Sequence, residues 1–161
     1  MKKLDNTFDI KPTAKTALVT GSTSGIGLGM AKALAAQGAN IIMNGFGDKD
    51  GPMAEVAAQG VKVGFHGADM SKPSEIEDMV RYAEATFGGV DILVNNAGIQ
   101  HVARIENFPT ERWDAVIAIN LSSAFHASRM VIPGMRARNW GRIINMISSI
   151  PHFIRSLSLR M

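Results

Sequence analysis

Thr16-Ala17-Leu18-Val19-Thr20-Gly21-Ser22-Thr23-Ser24-Gly25-Ile26-Gly27 decides the fold of this chain. Residues 16–20 form a short β-branched and apolar run, which predicts a buried strand. Residues 26–37 carry helical spacing through Ile26, Met30, Ala33 and Leu34, and Gly38 stands where a helix C-cap is wanted. Between them lies a turn with glycines spaced G-x-x-x-G-x-G. A strand that enters a helix through such a turn aims backbone N–H groups at whatever lies above the helix N-terminus. The helix dipole favours negative charge, such as a pyrophosphate, at that point. The turn is not a P-loop, since no Gly-Lys-Ser/Thr follows, and its spacing differs from G-x-G-x-x-G.

Outward from this turn the pattern keeps alternating. Residues 40–44 predict a second strand, 52–59 a short helix closed by Gly60, and 61–66 a third strand. Residues 71–87 predict a helix with Pro73 in its first turn and Gly88-Gly89 at its end. Residues 91–95 predict a fourth strand, 110–139 a long helical stretch interrupted near Pro133-Gly134, and 141–148 a fifth strand. Strands alternating with helices predict βαβ units and an α/β fold with a parallel sheet. Strand runs without polar alternation predict cover on both faces.

The 161 residues suffice for one core and are too few for two ordinary domains. Seventeen Lys and Arg face fourteen Asp and Glu, and the bases are spread along the chain, so no nucleic-acid footprint is expected. Arg136, Arg138 and Arg142 gather where a solvated helix end accounts for them. The chain has no cysteine, which excludes disulfides and thiolate metal sites and fits a reducing cytoplasm. No metal site is expected. Neither a signal-peptide apolar region nor an apolar run long enough to span a membrane is read.

The segment 20–27 (TGSTSGIG), followed by Asn95-Asn96-Ala97-Gly98 after another strand, resembles the short-chain dehydrogenase/reductase family. The likeness covers residues 14–148. Asn44-Gly45-Phe46-Gly47, residues 96–101 (NAGIQH) and residues 133–138 (PGMRAR) are most similar to its bacterial D-3-hydroxybutyrate dehydrogenase branch. The resemblance implies a Rossmann-type doubly wound sheet in the order 3-2-1-4-5, incomplete at about five strands. It also implies a loose arm at 1–14, an NAD-binding domain at 15–148 and a diverged tail at 149–161.

The implied cofactor is a nicotinamide dinucleotide, held by Gly21, Thr23, Ser24, Gly25, Ile26, Gly27, Phe46, Asp69, Asn95, Ala97 and Gly98. A 2′-phosphate needs a cation in the glycine loop or just after the second strand, and none stands there, which favours NAD over NADP. The acidic ribose anchor usual at that strand end is also missing; Asp48 lies a few residues on and reads as a solvated turn residue. Asp69 matches the family position that contacts the adenine amino group, or it caps the approach to a helix.

For catalysis the family uses Asn, Ser, Tyr and Lys. Asn120 matches the helix Asn that holds a relay water; the alternative is a polar helix residue bonded to backbone. Ser148 matches the Ser that polarises the substrate oxygen, with Ser149 a close rival. Gln100 fits a position that binds the carboxylate of a short hydroxy acid, or it is a loop glutamine. Tyr-x-x-x-Lys should follow Ser148 by about a dozen residues. The sequence has no Lys after Lys72, its only tyrosine is Tyr82 on a core-like helix face, and nothing places His152 as a base. The expectation is a C-terminally truncated dehydrogenase sequence, inactive alone. Its alternatives are an NAD-binding fragment without turnover, or a product that folds poorly. The family is homo-oligomeric, and the helix carrying Ala124, Phe125, Met130, Val131 and Met135 would lack its partner there.

Overall fold

The computed structural model describes residues 15–147. The expected arm at 1–14, Ser148, Ser149, His152 and the tail at 149–161 lie outside them. Five strands form one sheet: β1 Thr16–Val19, β2 Asn40–Asn44, β3 Val63–His66, β4 Ile92–Asn95 and β5 Arg142–Asn145. All pair in parallel in the order β3-β2-β1-β4-β5, as expected. Helices α1 Gly25–Ala36, α2 Asp50–Ala57, α3 Pro73–Phe87, α4 Thr110–Ile117 and α5 Ser123–Ala137 lie between them.

The two-residue period of the strands divides the core. Ala17, Val19, Ile41, Met43, Ile92 and Val94 pack under Ala31 and Ala35 of α1 and Val56 of α2. Leu18, Ile42 and Leu93 point to the other face, under Ile76, Met79, Val80 and Ala83 of α3 and Ala127, Val131 and Met135 of α5. Both faces of the central strands are therefore dry, which explains why their sequences lack polar alternation. Asp91 ties the start of β4 into this frame. Its carboxylate accepts the Thr16 N–H at 3.0 Å and Arg138 Nε at 3.1 Å.

The helical stretch differs from expectation in where it breaks. Pro133 sits inside α5 without ending it. It is exposed, so the carbonyl it leaves without a donor one turn back can take water. The irregularity falls instead at Ala118–Ser122, a π turn in which the Ser123 N–H reaches the Ala118 carbonyl, five residues back. The run Thr110–Ala137, with mean hydropathy 1.3 in its most apolar window, is long and apolar enough to cross a membrane by length and composition. That corrects the expectation that no such run exists. Part of its apolarity is used in the fold, since Ala127, Val131 and Met135 are buried. The face expected to lack cover is thus split: Val131 and Met135 are core, whereas Phe125 is exposed by 61%, as is Leu121 one turn earlier by 65%. β5 is mostly exposed, unlike β1, β2 and β4.

Candidate functional site

The chain runs outward from β1 through β2 to β3, then returns to lay β4 and β5 on the other side of β1. The crevice opens at this reversal, beyond the carboxyl ends of β1 and β4, where open α/β sheets take ligands. A cavity of about 370 Å³ occupies it. Gly21, Thr23, Ser24, Gly25, Ile26 and Gly27 form its floor, Gly45 and Phe46 one wall, and Ala97, Gly98 and Ile99 the other.

Helix α1 points its N-terminus into this space. Ser24 precedes it in extended conformation and makes no side-chain cap, and no acid stands in the first turn. The opening N–H groups of an α-helix have no acceptor within the helix, so they face the cavity as donors. Gly25 has φ +55°, and a Cβ there would enter open space. That opening leaves room for a ligand to approach the backbone closely. Gly27 needs the absence of a side chain for a different reason. A Cβ there would collide with the Gly21 carbonyl and lie 2.5 Å from Asn96 Nδ2. Ile26 and Phe46 are exposed by 70% and 68%, giving the cavity rim apolar surface suited to flat rings.

Three polar residues that stand in the quoted motifs, but whose bonding the sequence did not show, hold this shape. Asn44, 1% exposed, accepts the Gly21 N–H at 3.3 Å through Oδ1, and its Nδ2 donates to the His66 and Ala68 carbonyls at 3.0 and 2.9 Å. Asn96 donates through Nδ2 to the Thr20 and Gly21 carbonyls, both at 3.0 Å. Thr20 Oγ1 accepts the N–H groups of Asn96 and Ala97, each at 3.0 Å. Glycine loop, β2 end, β3 end and β4 loop thereby become one rigid floor. The sequence signal was their place in the quoted motifs, with both asparagines at strand ends; it did not show their partners.

The remaining expected residues are placed as follows. Asn95 does not line the cavity; its Nδ2 donates to Asn145 Oδ1 at 2.8 Å on the neighbouring strand, and its buried Oδ1 has no partner among the described residues. Asp69 lies between the cavity-lining Ala68 and Met70 but turns its carboxylate to the Ser71 N–H at 2.9 Å and the Ser71 hydroxyl at 2.7 Å. Those bonds, and Lys72 beside them, hold its carboxyl below the usual range. Glu75 is held low by the Asp69 N–H and then by Lys72, whose own ammonium Glu75 raises. This cluster is the entry to α3, as a helix-approach cap requires.

Asn120 stands in the π turn and spends both amide atoms on one residue. Its Oδ1 accepts the Ile99 N–H and its Nδ2 donates to the Ile99 carbonyl, each at 2.9 Å. It is therefore bonded to backbone, and it pins the lip of the cavity. Gln100 follows that lip, exposed and outside the cavity lining. Beyond it, His101, Phe108 and Trp113 stack edge to face and fold the loop back onto α4. Tyr82 packs on His66 and Phe87, away from the cavity lining. Among the described residues no cluster of His, Cys, Asp and Glu could hold a metal ion.

Comparison with known proteins agrees with this geometry. Residues 15–155 match the family model described as short chain dehydrogenase. Over 137 residues, 84% of this chain, it is 73% identical to D-beta-hydroxybutyrate dehydrogenase of Cupriavidus necator, of which 53% is covered. Over 141 residues, 84% of this chain, it is 56% identical to the protein of the same name from Rhizobium meliloti, of which 54% is covered. The chain spans about half the length of these curated relatives. Among solved structures it is similar to an NAD+-bound xylitol dehydrogenase, with TM-score 0.81 and 32% identity over 86% of this chain and 54% of that one. It is similar also to a metagenomic short-chain oxidoreductase in complex with NADP, with TM-score 0.82 and 30% identity over 87% of this chain and 65% of the other.

Proposed function

We propose, for a chain that belongs to the short-chain dehydrogenase family, that it supplies the NAD-binding half of a dehydrogenase acting on a short 3-hydroxy acid. The observation that carries this reading is the α1 N-terminus, opening uncapped onto a glycine floor into a cavity that no Lys or Arg lines among the described residues. A pyrophosphate suits those backbone donors, and a 2′-phosphate finds no cation. The residues fit a dinucleotide in shape as well, since the Gly25 approach is open and Ile26 and Phe46 offer apolar surface at the rim.

Bound there, the nicotinamide would exchange a hydride with the carbinol carbon of the substrate. This chain's part is to position the groups. The α1 N–H groups with Gly21, Thr23 and Ser24 hold the phosphates, Ala97 and Gly98 flank the cofactor, and Asp69 meets the adenine end. Asn120 fixes the Ile99 lip, and the adjacent Gln100 receives the substrate carboxylate. Ser148, from the family resemblance, polarises the substrate oxygen. The specific substrate follows the likeness to the D-beta-hydroxybutyrate dehydrogenases.

The sequence contains no Tyr-x-x-x-Lys, and this favours a second reading for the 161-residue polypeptide, a dinucleotide-binding module without turnover. Isothermal calorimetry with NAD+ and NADP+ tests the cofactor assignment. Tighter binding of NAD+ is expected, and tighter binding of NADP+ refutes it. An assay for NADH formation from 3-hydroxybutyrate then separates dehydrogenase from module.

A further inference from the structure

We infer that the outer edge of β5 is an interface between two copies of this chain, paired antiparallel about a two-fold axis at Asn145. This goes beyond the dinucleotide reading and does not rest on it. β5 closes the sheet order on one side, so among the described residues no strand covers its outer edge. The Arg142 and Met146 N–H groups turn inward, to the Asp91 and Asn95 carbonyls at 2.9 Å each. Alternate residues of a strand turn the same way, so the backbone groups of Ile143, Asn145 and Ile147 point outward. Such an edge is a template for another strand unless something blunts it. Residues 143–147 (IINMI) hold no charge and no proline. Ile144, Met146 and Ile147 are exposed by 43%, 45% and 88%. The other edge is guarded by charge, since Lys49 lies over Phe65 of β3 and Lys62 stands just before that strand.

A second copy fits this edge because the edge is complementary to itself. Set antiparallel, with Asn145 opposite the same residue of the other copy, Ile143 falls opposite Ile147. All three outward residues then exchange backbone N–H and C=O groups with their opposites. On one face of the sheet Ile144 meets Met146 of the other copy. On the other face Ile147 lies against Ile143, beside a groove of about 570 Å³ whose apolar lining is Ile132, Met135, Trp140 and Ile143. The axis residue supplies the specificity. Asn145 Oδ1 accepts Asn95 Nδ2 at 2.8 Å, which fixes the amide. Among the described residues that is the one bond its exposed side chain makes, so a lone pair and its own N–H groups are left over. An amide with both a donor and an acceptor to spare pairs with its own copy across a two-fold axis. The contact is isologous, so it ends at two chains.

The test is sedimentation equilibrium of the whole chain over a series of concentrations, with circular dichroism to show that each variant is folded. A reversible dimer is expected. Asn145→Asp keeps the acceptor for Asn95 and sets two carboxylates face to face at the axis, so it should weaken the dimer at least about tenfold. Ile147→Asp should weaken it too, at a side chain too exposed to matter to the fold of one copy. Phe125→Ser, on the exposed face of α5, should leave the dimer intact. A natural chain that stays monomeric at every concentration overturns the inference, and so does growth past the dimer. A dimer that Asn145→Asp or Ile147→Asp leaves unchanged overturns it as well. So does a dimer that Phe125→Ser dissolves, which would place the contact on the helix.

Discussion

Replacing Asn44 by leucine tests the claim that one buried amide holds the cavity floor together. Leucine has nearly the same volume and shape, so the change removes polarity with little disturbance of packing. Three bonds disappear: Gly21 N–H to Oδ1, and Nδ2 to the His66 and Ala68 carbonyls. Each is worth about 0.5–1.5 kcal/mol net, and groups left buried without a partner cost toward the upper end. The sum is about 3 kcal/mol, reduced somewhat by the apolar surface gained. At this chain length a loss of that size lowers the melting temperature by about 6–12 °C. Urea unfolding followed by circular dichroism measures the stability directly. Asn44→Asp keeps the acceptor for Gly21 but sets a buried carboxylate against the His66 and Ala68 carbonyls, so it should destabilise at least as much as Asn44→Leu. A loss below about 0.5 kcal/mol in Asn44→Leu would show that the three bonds exchange freely with water. The floor would then be held by something other than this amide.

Other outcomes follow from the same geometry. Gly25→Val should abolish NAD+ binding in calorimetry, because its side chain enters the space open above Gly25 and β-branching is strained at φ +55°; unchanged affinity would place the phosphates elsewhere. The 161-residue chain should form no NADH from 3-hydroxybutyrate at saturating NAD+, since a positioned acid–base group contributes about 10²–10⁴ in rate; activity within about a hundredfold of a full-length relative refutes this. Arg138→Ala should destabilise by about 1–2 kcal/mol, because it leaves the mostly buried Asp91 carboxylate without its cation, the figure being discounted for the partial exposure of Arg138. The Asp69 carboxyl is held low in the folded chain. Its contribution is therefore present above its unfolded value, near the ordinary 3.8 of a free Asp, and is lost as pH falls through the folded one. Melting temperature measured against pH should show a shallower acid limb for Asp69→Asn, and parallel curves at all pH would remove Asp69 from that account.

The glycine turn, the strand–helix alternation and the parallel sheet were legible in residues 16–27 and in the repetition of that pattern. These features are local. A strand, a turn and a helix each declare themselves within a few residues, and right-handed βαβ units leave few ways to arrange them. The partners of the polar side chains were not legible. Asn96 bonds across 76 positions of sequence to Thr20, Asn95 across 50 to Asn145, and Asn44 across 23 to Gly21. No periodicity encodes such pairs, because each depends on which strands the sheet brings side by side. The same holds for the helical break. Proline suggested it at Pro133, where exposure made the lost bond cheap, while the break at Ala118–Ser122 falls where Asn120 reaches the Ile99 backbone. Local chemistry thus chose the elements, and the packed sheet chose which asparagines hold the cavity, because a buried amide must find its partners wherever the fold has put them.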